Sequence, residues 1–397
     1  MTDNFERLLS NPHTRRRLLQ RGAAGALSVS ALAYLAACGT DEPSGGGGNQ
    51  SEDAKAIPKG KIAGPLYVAN WPLYIEEDRG TLEEFEQEVG APVKYVEEVN
   101  DNVEFFGKVR QQYDQGESGG RDIHVVTDWM AARMIRLGYV QKLDKSEMPN
   151  FESNLIERLK SPPFDPKRDF SAPWQSGFTG IVYRKDKVKR EPKSIDDLFD
   201  PDYKGKVTML TEMRDTVSLV AASMGADPEK ASVDEFMAAI EKIGAAAESG
   251  QIRGFTGNEY TKDLAKGDSW LIVGWSGDAV QLEADNPNIK FVAPESGVHL
   301  WTDNMQVPVG APHAFTAQKF MDFVYQPEVQ ADIAEYVNYI CPVEGVKEIL
   351  VERDPAIGNN QLIFPDDKTL DEAFIIRDLK PDEERQMDEA FQQVIGA

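Results

Sequence analysis

Cysteine and histidine are scarce in this chain of 397 residues, with two of the first and four of the second. Beyond the first forty positions the histidines are His124, His299 and His313, far apart, none in an HExxH pattern or beside a cysteine. A metal centre built on such ligands is not expected, nor is any cofactor: there is no P-loop, GxGxxG or EF-hand loop. Gly116-Glu-Ser-Gly-Gly120 sets a serine among glycines, but no base and acid accompany it, and a solvated loop explains it. Gly274-Trp-Ser-Gly-Asp278 has Asp where a nucleophile elbow needs its second Gly. Enzyme classes that need an activated nucleophile, a metal or a cofactor cradle therefore find no support. Basic residues are also few, 43 against 67 acidic ones, for a net charge of −24. So acidic a surface repels phosphates, which argues against nucleic-acid or anionic-lipid binding and favours small cations as partners, although acids that serve only solubility explain part of it.

No apolar run reaches the roughly 20 residues that a membrane-spanning helix requires. The longest, Ala23–Ala37, follows Thr14-Arg15-Arg16-Arg17-Leu18-Leu19, which resembles a twin-arginine export motif, and ends in Leu35-Ala36-Ala37-Cys38-Gly39, which resembles a bacterial lipobox. That resemblance implies cleavage before Cys38, lipidation of Cys38 and an extracytoplasmic, membrane-anchored protein. Removing residues 1–37 takes away five Lys/Arg and two Asp/Glu and leaves 38 basic against 65 acidic groups, a net of −27. With Cys38 lipidated, Cys341 is the sole thiol, no internal disulfide can form, and the fold rests on its core. Residues 38–64, with four consecutive glycines at 45–48, read as a flexible tether.

From Pro65 onward short apolar runs alternate with helical patterns. Strands are expected at 65–70, 92–96 and 122–126, with helices at Gly80–Val89, Asn102–Tyr113 and from about 129 to Leu137. This is the pattern of an α/β unit with a mainly parallel sheet. Residues 150–173, rich in Pro and polar side chains, read as a crossing. The alternation restarts with strands at 180–183, 207–210, 252–255, 271–273 and 289–293, and helices at 215–224 and 233–247. A strand at Met305–Pro308 follows, then helices at about 315–325, 329–337 and 381–394. Two α/β lobes follow, expected as 65–172 with 304–346 and 173–303 with 347–397, and no solenoid-type repeat is present.

In open parallel sheets, ligands sit beyond the carboxyl ends of strands. The residues expected there are Trp71 and Tyr74; Thr127, Asp128 and Trp129; Glu212 and Asp215; Trp275 and Asp278; Trp301 and Asp303. One aromatic–acid pair is most often a core ring beside a solvated carboxylate. Five turns that each bring an aromatic, an acid or both have together the makeup of a cage for an elongated cation, with ring faces for methylenes and ammonium groups and carboxylates for charge-assisted hydrogen bonds.

Several segments then carry a resemblance to the spermidine/putrescine-binding proteins of polyamine ABC transporters: Tyr67-Val-Ala-Asn-Trp-Pro-Leu-Tyr74, Asp122–Val126, Asn150-Phe151 with Pro163-Phe-Asp165, Leu198 with Pro201–Gly205, Thr211–Val217, Gly274–Gly277 and Trp301-Thr-Asp303. The resemblance spans the mature chain from about Pro65 to the last helix. It implies a type-2 periplasmic-binding-protein fold, two α/β lobes joined by a hinge with a ligand cleft between them, a polyamine ligand, a permease partner and a monomeric, non-enzymatic protein. It also implies cleft roles for Trp71, Tyr74, Thr127, Trp129, Asp215, Trp275, Trp301, Asp303 and, on its own account, Tyr339. This chain departs from the family pattern in three places. The spacing around Glu212–Arg214 is one residue shorter, Ile375-Ile376 stand where the family has a polar contact, and Asp128 and Asp278 replace small polar residues. A binder of another small cation or of a sugar, or a secreted lipoprotein enzyme, are the other readings; a sugar site needs fewer acids, and an iron site needs Tyr/His clusters that are missing.

Overall fold

The computed structural model describes residues 55–396. The export-like motif, the lipobox-like motif and Cys38 lie outside the described residues. Among the described residues the alternating pattern builds a ten-stranded sheet.

At one end, β1 (Leu66–Asn70), β2 (Val93–Glu97) and β3 (Ile123–Thr127) are parallel, ordered β2-β1-β3. They alternate with α1 (Gly80–Val89), α2 (Asn102–Tyr113) and α3 (Asp128–Arg136). At the other end β5 (Val207–Leu210) pairs in parallel with β6 (Ile252–Thr256) and β7 (Leu271–Trp275). Here α4 (Met213–Ser223) follows β5, α5 (Val233–Glu248) precedes β6, α6 (Tyr260–Lys266) follows it, and α7 (Ser276–Asp285) follows β7. Parallel strands need such crossover helices.

Two long strands join the halves. β4 (Ala172–Arg184) and β9 (Val298–Gln306) pair antiparallel with each other, β9 pairs antiparallel with β3, and β4 pairs antiparallel with β7. β8 (Ile289–Val292) pairs with β4, and the short β10 (Ala373–Phe374) with β9. The expected parallel sheet thus holds for each end but not for the centre. β4 begins where the Pro-rich crossing was expected to be ending, eight residues before the four read as strand, and ends one residue after them. The larger correction concerns β9: Trp301 and Asp303 stand in the middle of a strand, not in a turn before one. All nine residues of β9 are buried, so no polar–apolar alternation marks it. Its polar side chains are kept by hydrogen bonds instead, such as Thr302 to Ser176 at 2.9 Å and Asn304 to Arg168 at 2.7 Å.

The helices begin and end where local chemistry says they should. Asp101 caps α2 by accepting from the amides of Val103 and Glu104, and α1 stops at Gly90, which takes a left-handed φ of 89°. Ser232 and Glu235 form a capping box on α5. α8 (Ala314–Phe323), α9 (Pro327–Val337, with Pro at its first position) and α10 (Pro381–Ile395) complete the helices used below. The end of the expected tether is a second correction. Ile57 is buried, its amide bonds the carbonyl of Lys142 at 2.8 Å, and Ala63 N–H bonds Thr316 Oγ1 at 3.0 Å. Residues 55–64 are therefore laid onto the domain. Among the described residues no helix is long and apolar enough to cross a membrane. Cys341 is a free, buried thiol, pushed up to about 12 by its apolar surroundings.

Candidate functional site

Residues at or just past the carboxyl ends of β1, β3, β5 and β7 converge with the middle of β9 on one cavity, about 370 Å³ of free space counting the solvent at its open side. Trp71, Tyr74, Thr127, Asp215, Trp275, Asp278, Trp301, Asp303 and Tyr339, all singled out in the sequence, line it. No Lys, Arg or His is among the lining residues.

The aromatic members form a continuous wall. Trp71 meets Trp275 edge to face with ring centroids 6.0 Å apart; Trp275 and Trp301 lie 6.4 Å apart, Trp301 and Tyr339 5.6 Å, Tyr339 and Tyr74 5.2 Å. Edge-to-face packing leaves ring faces free to meet methylenes or a cation. Two glycines make room for Tyr339. A Cβ on Gly277, in the first turn of α7, would come 2.2 Å from the Tyr339 ring; one on Gly177, in β4, would come 2.6 Å from Trp301 and 2.8 Å from Tyr339.

Four carboxylates, Glu212, Asp215, Asp278 and Asp303, share the cavity, and all are buried. Asp303 accepts from Tyr74 Oη at 2.9 Å and from Thr127 Oγ1 at 2.8 Å. Burial outweighs these donors and pushes its carboxyl up to about 7. Asp278 accepts from Tyr260 Oη at 2.7 Å, Tyr339 Oη at 2.8 Å and Asn258 Nδ2 at 3.2 Å, and burial raises it too. Asp215 accepts from Thr179, whose Oγ1 in turn accepts from Trp301 Nε1 at 2.9 Å; His299 Nδ1 lies 3.0 Å from the same carboxylate, behind the cavity wall. Glu212 accepts from the amide of Asn102 at 2.7 Å and from Asn102 Nδ2 at 2.8 Å. Burial, then the Asp101 and Asp215 charges, raise it well above the usual carboxylate range. Asp215 and Asp278 sit in the first turns of α4 and α7, where the helix dipole favours negative charge. Even so, buried carboxylates held mostly by neutral donors are expensive unless they take up a proton or pair with a cation.

Two expected residues are elsewhere. Asp128 opens α3, and its carboxylate accepts from Thr302 N at 3.1 Å and Asn304 Nδ2 at 2.8 Å. It ties α3 to β9 beneath the cavity, where burial pushes it up to about 6. Trp129 also leaves the cavity: the Arg214 guanidinium lies over its ring at 3.7 Å. The cause is a change of period. At Asp128 the chain turns helical, so successive side chains rotate by about 100° instead of staying together at a strand end. Pro72, Asn102 and Asn258 line the cavity without having been singled out, and Glu212, expected at a strand end but given no cleft role by the resemblance, lines it as well. The two amides carry neither charge nor ring. The one available signal was that Asn102 follows the capping Asp101.

A family model described as bacterial extracellular solute-binding protein matches residues 81–359. The chain belongs to that family. The spermidine/putrescine-binding periplasmic protein of Escherichia coli K12 is 28% identical over 308 residues, covering 77% of this chain and 84% of that protein. The putrescine-binding periplasmic protein PotF of the same organism is 30% identical over 293 residues, covering 69% and 76%. Among solved structures, the spermidine/putrescine ABC transporter substrate-binding protein PotD of Streptococcus pneumoniae superposes with a TM-score of 0.68 at 26% identity, covering 84% of this chain and 98% of that one. The fold is accordingly that of a type-2 periplasmic binding protein, two α/β lobes about a hinge, with the cavity between them.

Proposed function

We propose that this protein is the extracytoplasmic substrate-binding component of an ABC transporter, that it captures a polyamine between its lobes, and that it delivers the ligand to a membrane permease. The observation that carries this reading is the lining of the cavity: four buried carboxylates, an unbroken aromatic wall and no basic side chain. A neutral sugar would leave those carboxylates unpaired, whereas an alkyl chain with ammonium ends pairs them and lays its methylenes on the rings. The names of the relatives point the same way.

The acids meet partners from both lobes. In this reading residues 65–172 and 304–346 form the first lobe, whose Tyr74 and Thr127 donate to Asp303 of the second. Residues 173–303 and 347–397 form the second, which carries Glu212, Asp215, Asp278 and Asp303. A cation between them draws both lobes shut, so binding and closure are one event, and the mechanism is conformational, not catalytic. The Glu212 bonds to the start of α2 are contacts of the closed form. Cys38 carries the lipid anchor, and the protein acts as a monomer. The test is calorimetric titration of the mature chain with putrescine, spermidine, spermine and a set of neutral sugars. Binding of a polyamine with no heat from the sugars is expected; tight sugar binding, or no polyamine binding at all, would overturn the reading.

A further inference from the structure

Outside the cavity, one partly buried ionic cluster, in this reading, crosses from lobe to lobe. Its first-lobe side is α3: Trp129, Arg133 and Arg136. Its second-lobe side is Arg214, in the first turn of α4, with Glu384 and Asp388 of α10, a helix anchored there by Phe391 packing edge to face on Phe255 at 6.0 Å. Glu384 gathers three guanidiniums: Arg133 at 3.1 Å, Arg136 at 3.3 Å, and Arg214. Asp388 takes Arg133 at 3.1 Å. Trp129 receives the Arg214 guanidinium over its ring at 3.7 Å and that of Arg133 at 5.0 Å. The side chains of Arg214 and Glu384 are only 5% and 8% exposed, so bulk salt screens their pairing little.

None of these residues lines the cavity, yet they stand next to those that do. Trp129 is two positions after Thr127, and Arg214 lies between Glu212 and Asp215. Opening the cleft would pull α3 away from α4 and α10, lift Arg214 off Trp129, and break Glu384 from Arg133 and Arg136.

We propose that Trp129, Arg214 and Glu384 are the centre of a clasp that holds the lobes together without touching ligand, so that the C-terminal helix sets how long the cleft stays shut. This rests on the two-lobed reading of the cleft above. A contact made only in the closed form acts on departure, because ligand enters the open form before the clasp engages. The clasp therefore slows release and leaves capture alone.

The test uses the full mature chain and two variants, Glu384→Gln, which removes the charge that gathers the arginines, and Arg214→Lys, which loses the planar stack on Trp129. Stopped-flow tryptophan fluorescence with putrescine and with spermidine gives association and release, small-angle scattering gives the ligand-free radius of gyration, and melting temperature confirms folding. Release should quicken by about tenfold or more, as expected when a buried charge pair is broken, with association unchanged within about twofold. The ligand-free variants should also have larger radii of gyration than the parent. Slowed association with unchanged release would make these side chains part of ligand capture and overturn the clasp, as would rates and radii equal to the parent's. Should the parent bind neither polyamine, the functional reading fails, and the scattering comparison alone decides the clasp: expansion of the variants supports it and identical radii refute it.

Discussion

Replacing Asp303 by Asn should weaken ligand binding and stabilise the empty protein at the same time. Asn keeps the shape, and the hydroxyls of Tyr74 and Thr127, 2.9 and 2.8 Å from the Asp303 carboxylate, can reorient to suit an amide. The carboxyl is pushed up from an ordinary 3.8 to about 7, first by burial. At about 1.4 kcal/mol per pH unit, ionising it in the closed, empty cleft costs up to about 4 kcal/mol. A carboxyl whose folded value is raised binds its proton more tightly when folded. Its contribution to stability is thus complete below pH 3.8, shrinks as the pH rises, and is gone above about 7. The melting temperature of ligand-free Asp303→Asn should therefore match the parent near the acid end of that window and exceed it by a few degrees above neutrality. With ligand the sign reverses. In the proposed reading the parent's carboxylate pairs with an ammonium group, and removing one partner of a buried pair costs about 3–5 kcal/mol, roughly a hundredfold or more in affinity. Scanning calorimetry across the pH series and titration with spermidine above neutral pH read both effects. If the variant binds within about threefold of the parent, a shift well under 1 kcal/mol, then Asp303 is not the counter-ion of the ligand and the reasoning fails.

Three further outcomes are expected. Asp78→Asn, at an exposed acid near the start of α1, should leave affinity and melting temperature unchanged in the same assays, separating the site from the general acidity of the surface. Gly277→Ala should push Tyr339 out of the cavity, since the new Cβ would stand 2.2 Å from its ring; polyamine affinity should fall by about tenfold or more, read by calorimetry, and an unchanged affinity would show the ring dispensable. Cys38→Ser should abolish metabolic lipid labelling and release the protein from the membrane fraction, and persistent labelling would refute anchoring through that residue.

Much of this was legible in the residues because local chemistry and global fold agree. Gly80–Val89 and Asn102–Tyr113 coincide with α1 and α2, since Gly90 and Asp101 mark their ends in the sequence as they do in space. Trp71, Tyr74, Asp215, Trp275 and Asp278 follow parallel strands or open the helices after them, where clefts of such sheets form. What was hidden depended on pairing between distant segments. β9 is buried on both faces, so Trp301 and Asp303 looked like a turn although they lie mid-strand. Trp129 looked like a ligand residue because the group that covers its ring, Arg214, lies 85 positions away in the chain. Asn258 reaches the cavity through Asp278, a hydrogen bond that no spacing rule reveals.

The central claim, a cationic chain held between buried carboxylates on an aromatic wall, is tested most directly by a crystal structure of the mature protein grown with spermidine. The account expects closed lobes, an ammonium nitrogen within about 3.2 Å of an Asp303 oxygen, and methylenes lying against Trp71, Trp275 and Trp301. Spermidine bound elsewhere, or a closed cleft with Asp303 touching no ammonium group, would contradict it.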